Sequence, residues 1–246
     1  MIWARSAGQG DGPLAVLLHG LGATAEVYVG LERLLEKEWP GGWLTVDLAG
    51  HGRSGRAASY SFAAHADLLA PLLPFDRDLV LVGHSMGGLV ALELAPRLPR
   101  ARGVVAFSTK TWWPPDQVAS MQALARKPVR LFETREQAVE QHLKQAGLIG
   151  LLEPDDPATG AGVVQVEGGW QVAQDPATND FGTPDMAAQL AAVGCPVTLA
   201  RGSLDPFVRG EDLAPLVPCP VTLSGLGHNP HVEDPPAVAA LVAAYA

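Results

Sequence analysis

A serine in a glycine-rich turn is the residue of this sequence best placed to act as a nucleophile. Ser85 lies in the run Gly83-His84-Ser85-Met86-Gly87, which has the pattern G-x-S-x-G. An apolar stretch over residues 79–82 precedes this run, and a helical pattern follows it. A serine on a tight turn from strand to helix is exposed at the edge of a sheet, and glycines remove side chains that would clash there. The pattern therefore predicts a nucleophile for acyl transfer.

A serine hydroxyl needs a base to take its proton and a third group to orient that base. Of the seven histidines, His228 follows the last predicted strand, and loops after parallel strands open onto the edge where Ser85 is expected. His231 shares this loop and is the alternative base. Asp205 follows the penultimate predicted strand and is the expected orienting carboxylate. The competing carboxylates are interpreted as solvated or helix-capping groups; they are Glu211, Asp212, Glu233 and Asp234.

Acyl transfer also requires donors for the negative charge that develops on the carbonyl oxygen. The backbone N–H of Met86, directly after the nucleophile, is the expected first donor. The N–H of Leu21 is the expected second donor, because the glycines in residues 18–22 let the chain approach a substrate closely. The chain order Ser85, Asp205, His228 is that of one particular hydrolase architecture.

The elements that must position these residues follow an alternating pattern. Short runs rich in Val and Leu alternate with longer segments of helical period, which predicts a largely parallel sheet with helices on both faces. The predicted strands are residues 2–4, 14–18, 43–48, 79–82, 103–107, 196–200 and 221–223. The predicted helices between them are residues 24–38, 61–73, 86–98, 211–216 and 235–245.

The alternation stops between residues 111 and 184, which predicts an insertion into a core formed by residues 1–110 and 185–246. Helical patterns over residues 116–125 and 134–145 precede turn-rich segments. The insertion has more bulky aromatic residues than so small a piece would bury by itself, so some should face the core, although packing within the insertion is the alternative. They are Trp112, Trp113, Phe132, Trp170 and Phe181.

An apolar acyl or aryl pocket is the expected use of these side chains, with Trp112, Trp113 and Trp170 in its wall. Lys110 lies at the start of the insertion and is a candidate partner for a carboxylate on the substrate. An exposed lysine that binds nothing is the simpler interpretation, because lysine side chains are mostly exposed.

Composition and charge exclude several other classes of protein. The 246 residues are 48% hydrophobic and 17% charged, so the chain can bury a large core and is not disordered. A net charge of −9 without a Lys/Arg cluster argues against nucleic acid as a partner. Cys195 and Cys219 are too few for a disulfide framework or a zinc ribbon and are expected to be reduced. No run of about 18 apolar residues occurs and no export signal is recognised, so we expect no membrane span and a cytoplasmic location.

Four motifs resemble those of the α/β-hydrolase superfamily and occur in the same order. They are residues 19–22 (His-Gly-Leu-Gly), 47–54 (the D-x-x-G-x-G-x-S turn), 83–88, and 227–235 with Gly-His followed by Glu-Asp-Pro. The resemblance covers residues 1–110 and 185–246. It implies a mostly parallel eight-stranded sheet flanked by helices, a mainly helical cap over residues 111–184, a Ser-His-Asp triad, no required cofactor and no metal.

The resemblance also narrows the expected activity. Dehalogenases and epoxide hydrolases of this superfamily have Asp where this chain has Ser85, and proline iminopeptidases usually have Trp where it has Met86. We therefore expect a carboxylesterase-like serine hydrolase that acts on a small-molecule acyl substrate through an acyl-enzyme intermediate. Hydrolysis of carbon-carbon bonds, lactones or thioesters and perhydrolysis are the alternatives within this fold. A ligand receptor without turnover is the alternative from another class.

Overall fold

The structure is a computed structural model that describes residues 1–8 and 10–246. The strands in these residues are β1 (Trp3–Ala7), β2 (Leu14–Leu18), β3 (Trp43–Asp47), β4 (Leu79–His84), β5 (Ala101–Phe107), β6 (Val163–Val166), β7 (Gly169–Val172), β8 (Val197–Gly202) and β9 (Val221–Leu223). The α-helices are α1 (Val29–Glu38), α2 (Phe62–Leu69), α3 (Met86–Leu94), α4 (Pro115–Ala125), α5 (Arg135–Ala146), α6 (Met186–Ala192), α7 (Gly210–Leu213), α8 (Pro230–Glu233) and α9 (Pro235–Ala243). Short 3-10 helices are Ala25–Tyr28, Ala70–Leu72, Ala95–Arg97, Pro157–Gly162 and Pro176–Asn179.

Seven strands form one sheet in the order β1-β3-β2-β4-β5-β8-β9. Only the pair β1 and β3 is antiparallel in this sheet, and the other neighbours are parallel. The mostly parallel α/β architecture is confirmed, but the implied number of eight strands is wrong. Within the described residues seven strands join this sheet, and no further strand pairs with either edge.

The core lies on both faces of the sheet, as the apolar central strands require. All residues of β2 and β4 are buried. Because side chains alternate along a strand, Val16 and Leu18 contact one hydrophobic cluster, while Ala15 and Leu17 contact the other. Helices α2 and α3 complete the first cluster with Phe62, Leu69, Leu89 and Leu92. Helices α1 and α9 complete the second cluster with Leu31, Leu35, Val238 and Val242.

The 111–184 segment contains α4, α5 and the antiparallel hairpin β6–β7. Both helices were predicted, but the hairpin was not, because the glycines at 168–169 indicate only a turn. Both phenylalanines of this segment, Phe132 and Phe181, are buried. The centre of the Phe181 ring lies 5.3 Å from that of the Phe62 ring on α2. Trp112 is 62% exposed. Some aromatic side chains of this segment therefore face the core, as expected, and others do not.

Two further features bear on the sequence-based expectations. Within the described part of the chain, no α-helix combines the length and apolar character needed to cross a bilayer. The thiols of Cys195 and Cys219 are both free, the first half-buried and the second exposed.

Candidate active site

The nucleophile turn joins the central strand β4 to helix α3. Ser85 has a φ of 51° and a ψ of −114°, a backbone conformation that costs energy for a residue with a side chain. Its N–H donates to the carbonyl of Phe107 over 3.0 Å, and its carbonyl accepts from the N–H of Gly88 over 3.1 Å. These contacts to β5 and α3 hold the strained serine in place.

The glycines around this serine are required by close backbone approaches. A Cβ on Gly83 would lie 2.3 Å from the carbonyl oxygen of Gly87, and one on Gly87 would lie 2.1 Å from that of Leu18. A Cβ on Gly20 would lie 3.3 Å from the Cβ of Ser85. The prediction that glycines prevent clashes at this turn is confirmed, and the loop that includes Gly20 lies beside the nucleophile.

Asp205 and His228 meet at the carboxyl edge of the sheet, in the loops after β8 and β9. Nδ1 of His228 lies 3.1 Å and 3.0 Å from the two carboxylate oxygens of Asp205. The N–H of Phe207 also donates to this carboxylate over 2.9 Å. Burial acts to raise the pKa of Asp205, but the contacts with His228 and the Phe207 N–H outweigh it, and the pKa lies below its ordinary value. A charged Asp205 keeps a proton on Nδ1 and leaves Nε2 free to act as a base.

His84 connects the nucleophile turn to the base. Its Nε2 donates to the carbonyl of His228 over 2.8 Å, and the two imidazole rings are 5.0 Å apart. Burial, with the neighbouring His231 and His228, holds the pKa of His84 well below its ordinary value, so the ring is neutral. Among the described residues no hydrogen bond joins the Ser85 hydroxyl to His228, a contact that often tightens only when substrate binds.

A carboxylate that sequence reasoning set aside holds the loop of the base. Glu233 accepts the N–H of Gly227 over 2.6 Å and that of Asn229 over 2.9 Å, one on each side of His228. Glu233 is therefore not a solvated group: it accepts the N–H of Asn229, the N-cap residue of α8, as a capping group does, and it also holds Gly227 in the loop before this helix. Glu233 lies in the first turn of α8, directly after the loop of His228, and this spacing was a signal from which its contacts with the loop could have been predicted. Glu211 and Asp212 instead form ion pairs with the exposed Arg209.

The alternative base has no group to orient it. His231 is buried, and within the described part of the chain neither of its ring nitrogens has a hydrogen-bond partner. Burial and the neighbouring His228 lower its pKa to about 3. Its ring instead packs 4.4 Å from that of His84 and 5.1 Å from that of Tyr28. The geometry therefore favours His228 over His231.

The two expected oxyanion donors belong to segments next to Ser85. Met86 is the first residue of α3, where a backbone N–H has no acceptor within the helix. Leu21 follows Gly20 in the loop beside the nucleophile. His19 ties this loop to β3, because its Nε2 accepts the N–H of Leu48 over 2.9 Å and its Nδ1 contacts the carbonyl of Gly20 at 2.8 Å.

A cavity of about 560 Å³ opens beside Leu21 and extends between α4, α5 and β7. The residues expected to form the pocket lie elsewhere. Trp112 is exposed, the Trp113 ring lies 6.1 Å from that of Phe181, and Trp170 pairs its backbone with Phe132. Lys110 donates to the side chain of Gln117. Counting aromatic residues could not show which way they point. The cavity is lined instead by Leu21, Met121, Leu124, Lys127, Pro128, Val129, Arg130, Phe132, Gln141, Lys144, Gln145, Val172, Gln174, Pro176 and Asn179.

Across residues 1–8 and 10–246, no group of three or more His, Cys, Asp and Glu side chains has an arrangement that could hold a metal ion. The chemistry available to the described side chains is that of a serine, an imidazole and a carboxylate. These groups, with backbone donors, are the components of covalent acyl transfer.

Comparisons with known proteins point to a single family of hydrolases. A family model described as the alpha/beta hydrolase family matches residues 15–241. An esterase from Mycobacterium tuberculosis is 30% identical over 226 residues, which are 84% of this chain and 72% of that protein. An uncharacterized protein from Mycobacterium bovis is 38% identical over 94 residues, which are 37% of this chain and only 27% of that relative's length. The solved structure of E-2-(acetamidomethylene)succinate hydrolase has a TM-score of 0.81 at 23% identity, covering 98% of this chain and 93% of that one.

Proposed function

The chain belongs to the alpha/beta hydrolase family, and on this premise we propose that it is a serine hydrolase that cleaves small carboxylic esters through an acyl-enzyme intermediate. The observation that carries the proposal is the pair of contacts between Asp205 and Nδ1 of His228, at the sheet edge where Ser85 lies in strained backbone. The likeness to an esterase over most of the chain supports the choice of esters.

In the proposed mechanism the oxygen of Ser85 attacks the ester carbonyl while its proton passes to Nε2 of His228. Asp205 holds the Nδ1 proton and stabilises the imidazolium that forms. The N–H groups of Leu21 and Met86 donate to the oxyanion. His228 then gives its proton to the leaving alcohol. Water then attacks the acyl-enzyme while His228 takes a proton from it. His228 returns this proton to the oxygen of Ser85 as the acid leaves.

We further propose that residues 111–184 are a cap that selects the substrate for a core formed by residues 1–110 and 185–246. Two contacts of α5 support this role. A Cβ on Gly22, in the loop of the second oxyanion donor, would lie 3.0 Å from the carbonyl carbon and oxygen of Gln145. The side chain of Asn229, next to the base, donates to the carbonyl of Gly147 over 2.9 Å. The end of α5 thus contacts both loops that complete the site.

Replacing the nucleophile tests the proposal directly. In Ser85→Ala, kcat on a short p-nitrophenyl ester should fall by about 10⁴-fold or more, because the acyl-enzyme cannot form. Ser120→Ala, an exposed serine on α4 whose hydroxyl only donates to the carbonyl of Asp116, is the matched control and should keep wild-type activity. Mass spectrometry after treatment with a fluorophosphonate should find the adduct on Ser85.

Wild-type activity in Ser85→Ala would overturn the mechanism. A matched set of ester, thioester and lactone with one acyl chain should show the ester as the fastest substrate. Turnover below about one per minute on every member, far under the range typical of enzymes, would favour a ligand receptor instead.

A further inference from the structure

The cavity that Leu21 lines has a partly apolar wall. Its volume of about 560 Å³ falls within the range of roughly 300–1,000 Å³ found for small-molecule sites. The apolar part is formed by Met121, Val129, Phe132 and Val172. Because Leu21 carries an expected oxyanion donor and also lines this cavity, we take the acyl chain of a substrate whose carbonyl lies at Ser85 to extend into this space.

The part of the cavity formed by α5 and by the segment that joins α4 to α5 is positively charged. Lys127, Arg130 and Lys144 line it, and no carboxylate is among its lining residues. Within the described residues none of these three cations forms an ion pair, and the guanidinium of Arg130 instead lies 4.7 Å from the ring centre of Phe132. A cluster of unpaired cations is unusual in a chain whose net charge is −9. Such cations favour an anion in the cavity.

The surrounding polar groups are compatible with an anion. Glu133 and Glu140 do not line the cavity, but they line an adjoining surface cleft that shares Arg130 and Lys144 with it. Asp180 lies next to Asn179 and accepts a hydrogen bond from Gln122 over 3.5 Å. The amides in the wall can add neutral donors; they are Gln141, Gln145, Gln174 and Asn179.

We infer that this cavity binds acyl substrates that carry a carboxylate or phosphate remote from the scissile carbonyl. The inference rests on the proposed function, because it takes the carbonyl to lie at Ser85. Arginine and lysine are the side chains that proteins use to bind both anions. The proposed partner for a substrate carboxylate is thus no longer Lys110 but the three cations of this cavity, Lys127, Arg130 and Lys144.

Two esters with the same six-carbon acyl chain test the inference. They are the p-nitrophenyl esters of hexanoic acid and of adipic acid, the second with a free terminal carboxylate. In Lys127→Gln/Lys144→Gln the ratio of kcat/KM for the anionic ester to that for the neutral one should fall about tenfold, which is about 1.4 kcal/mol. Raising the salt from low ionic strength to 1 M should lower the same ratio in the wild type, since the screening length falls to about 3 Å.

The control variant changes the charge equally at another place. Arg33→Gln/Lys37→Gln alters two exposed cations of α1 and also changes the net charge from −9 to −11, since −9 − 2 = −11. It should keep the wild-type ratio and activity. Hexanoyl thioesters of pantetheine and of 4′-phosphopantetheine provide a second arm. A variant effect confined to the adipate ester identifies a carboxylate on the acyl chain, and one confined to the phosphorylated thioester identifies a phosphate on the leaving group.

An unchanged ratio in Lys127→Gln/Lys144→Gln for both pairs would overturn the inference while leaving the ester hydrolase intact. Calorimetric binding of the two p-nitrophenyl esters to Ser85→Ala, with and without the lysine changes, gives an answer without turnover. Equal affinities for the two esters in Ser85→Ala would also overturn it. A wild-type enzyme that binds the adipate ester more tightly but hydrolyses neither ester would contradict the proposed function and leave the anion site standing.

Discussion

Helices α4 and α5 belong to the same 111–184 segment and have nearly the same length, 11 and 12 residues, yet they differ in burial. No residue of α4 is buried. In α5, five are buried, and Leu143 joins the hydrophobic cluster that includes Val80 and Val82 of the central strand. The boundary between buried and exposed packing therefore runs inside the segment, between these two helices. Under the proposed role of residues 111–184 as a cap, α4 can change the choice of substrate without disturbing the groups that α5 contacts.

The difference in burial predicts a large difference in stability. Leu143→Ala should lower the free energy of unfolding by about 2–5 kcal/mol, because a buried leucine leaves a cavity. Leu124→Ala on α4, where the side chain is 41% exposed, should change it by at most about 0.5 kcal/mol. Urea unfolding of both variants measures the contrast. Similar losses in the two variants would mean that α4 and α5 pack equally firmly.

The buried His142 on α5 makes the free energy of unfolding depend on pH. Burial, with the nearby His19, lowers its pKa from 6.5 to about 4. The unfolded chain therefore binds this proton more readily, and stability is lost as the pH falls from about 6.5 towards 4, by about 3 kcal/mol at roughly 1.4 kcal/mol per unit. In His142→Gln the free energy of unfolding should fall less steeply over this range. The core histidine His65, whose pKa is also about 4, provides the comparison through His65→Gln.

If the pH dependence of the free energy of unfolding is weakened equally in His142→Gln and His65→Gln, α5 unfolds together with the core. An unchanged pH dependence in His142→Gln, with flattening in His65→Gln, would place α5 outside that cooperative unit. Chemical denaturation at intervals from pH 7 to pH 4 distinguishes the two results.

The contact between α5 and the base should have a smaller effect on catalysis. Asn229→Ala removes the hydrogen bond to the carbonyl of Gly147, and kcat on a neutral ester should fall up to about tenfold as the loop of His228 loosens. Gln122→Ala is the counterpart on α4, since it removes the contact with Asp180. We expect kcat within about twofold of wild type in that variant. A larger loss of kcat in Gln122→Ala than in Asn229→Ala would mean that α4, and not α5, supports the reacting groups.

The sequence predicts the parts of the molecule that depend on local patterns. The strand, turn and helix around Ser85 follow from hydrophobic period and glycine spacing. The ends of α5 are also encoded locally, because Thr134 caps its first turn and Gly147 adopts the left-handed conformation after its last. Chain order placed Asp205 and His228 after neighbouring strands, and the structure joins them by hydrogen bonds.

Features that depend on contacts between distant segments were not predictable in this way. Helix α4 carries apolar residues at helical spacing, such as Val118, Met121 and Ala125, but it lacks a partner that buries them fully. The direction of an aromatic side chain is decided by packing, so residue types alone could not show that Trp112 is exposed while Phe132 lines the cavity. The role of Glu233 depends on how α8 folds back, which a pattern of residue types does not show.

The hydrogen bond between His84 and His228 joins residues that are 144 positions apart. Contacts of such long sequence separation form late, because a large loop must close first. During synthesis, the nucleophile turn can be made well before the residues that include the base leave the ribosome. Under the proposed mechanism, a partly made chain presents Ser85 without its base, and the serine is activated only after β9 joins the sheet.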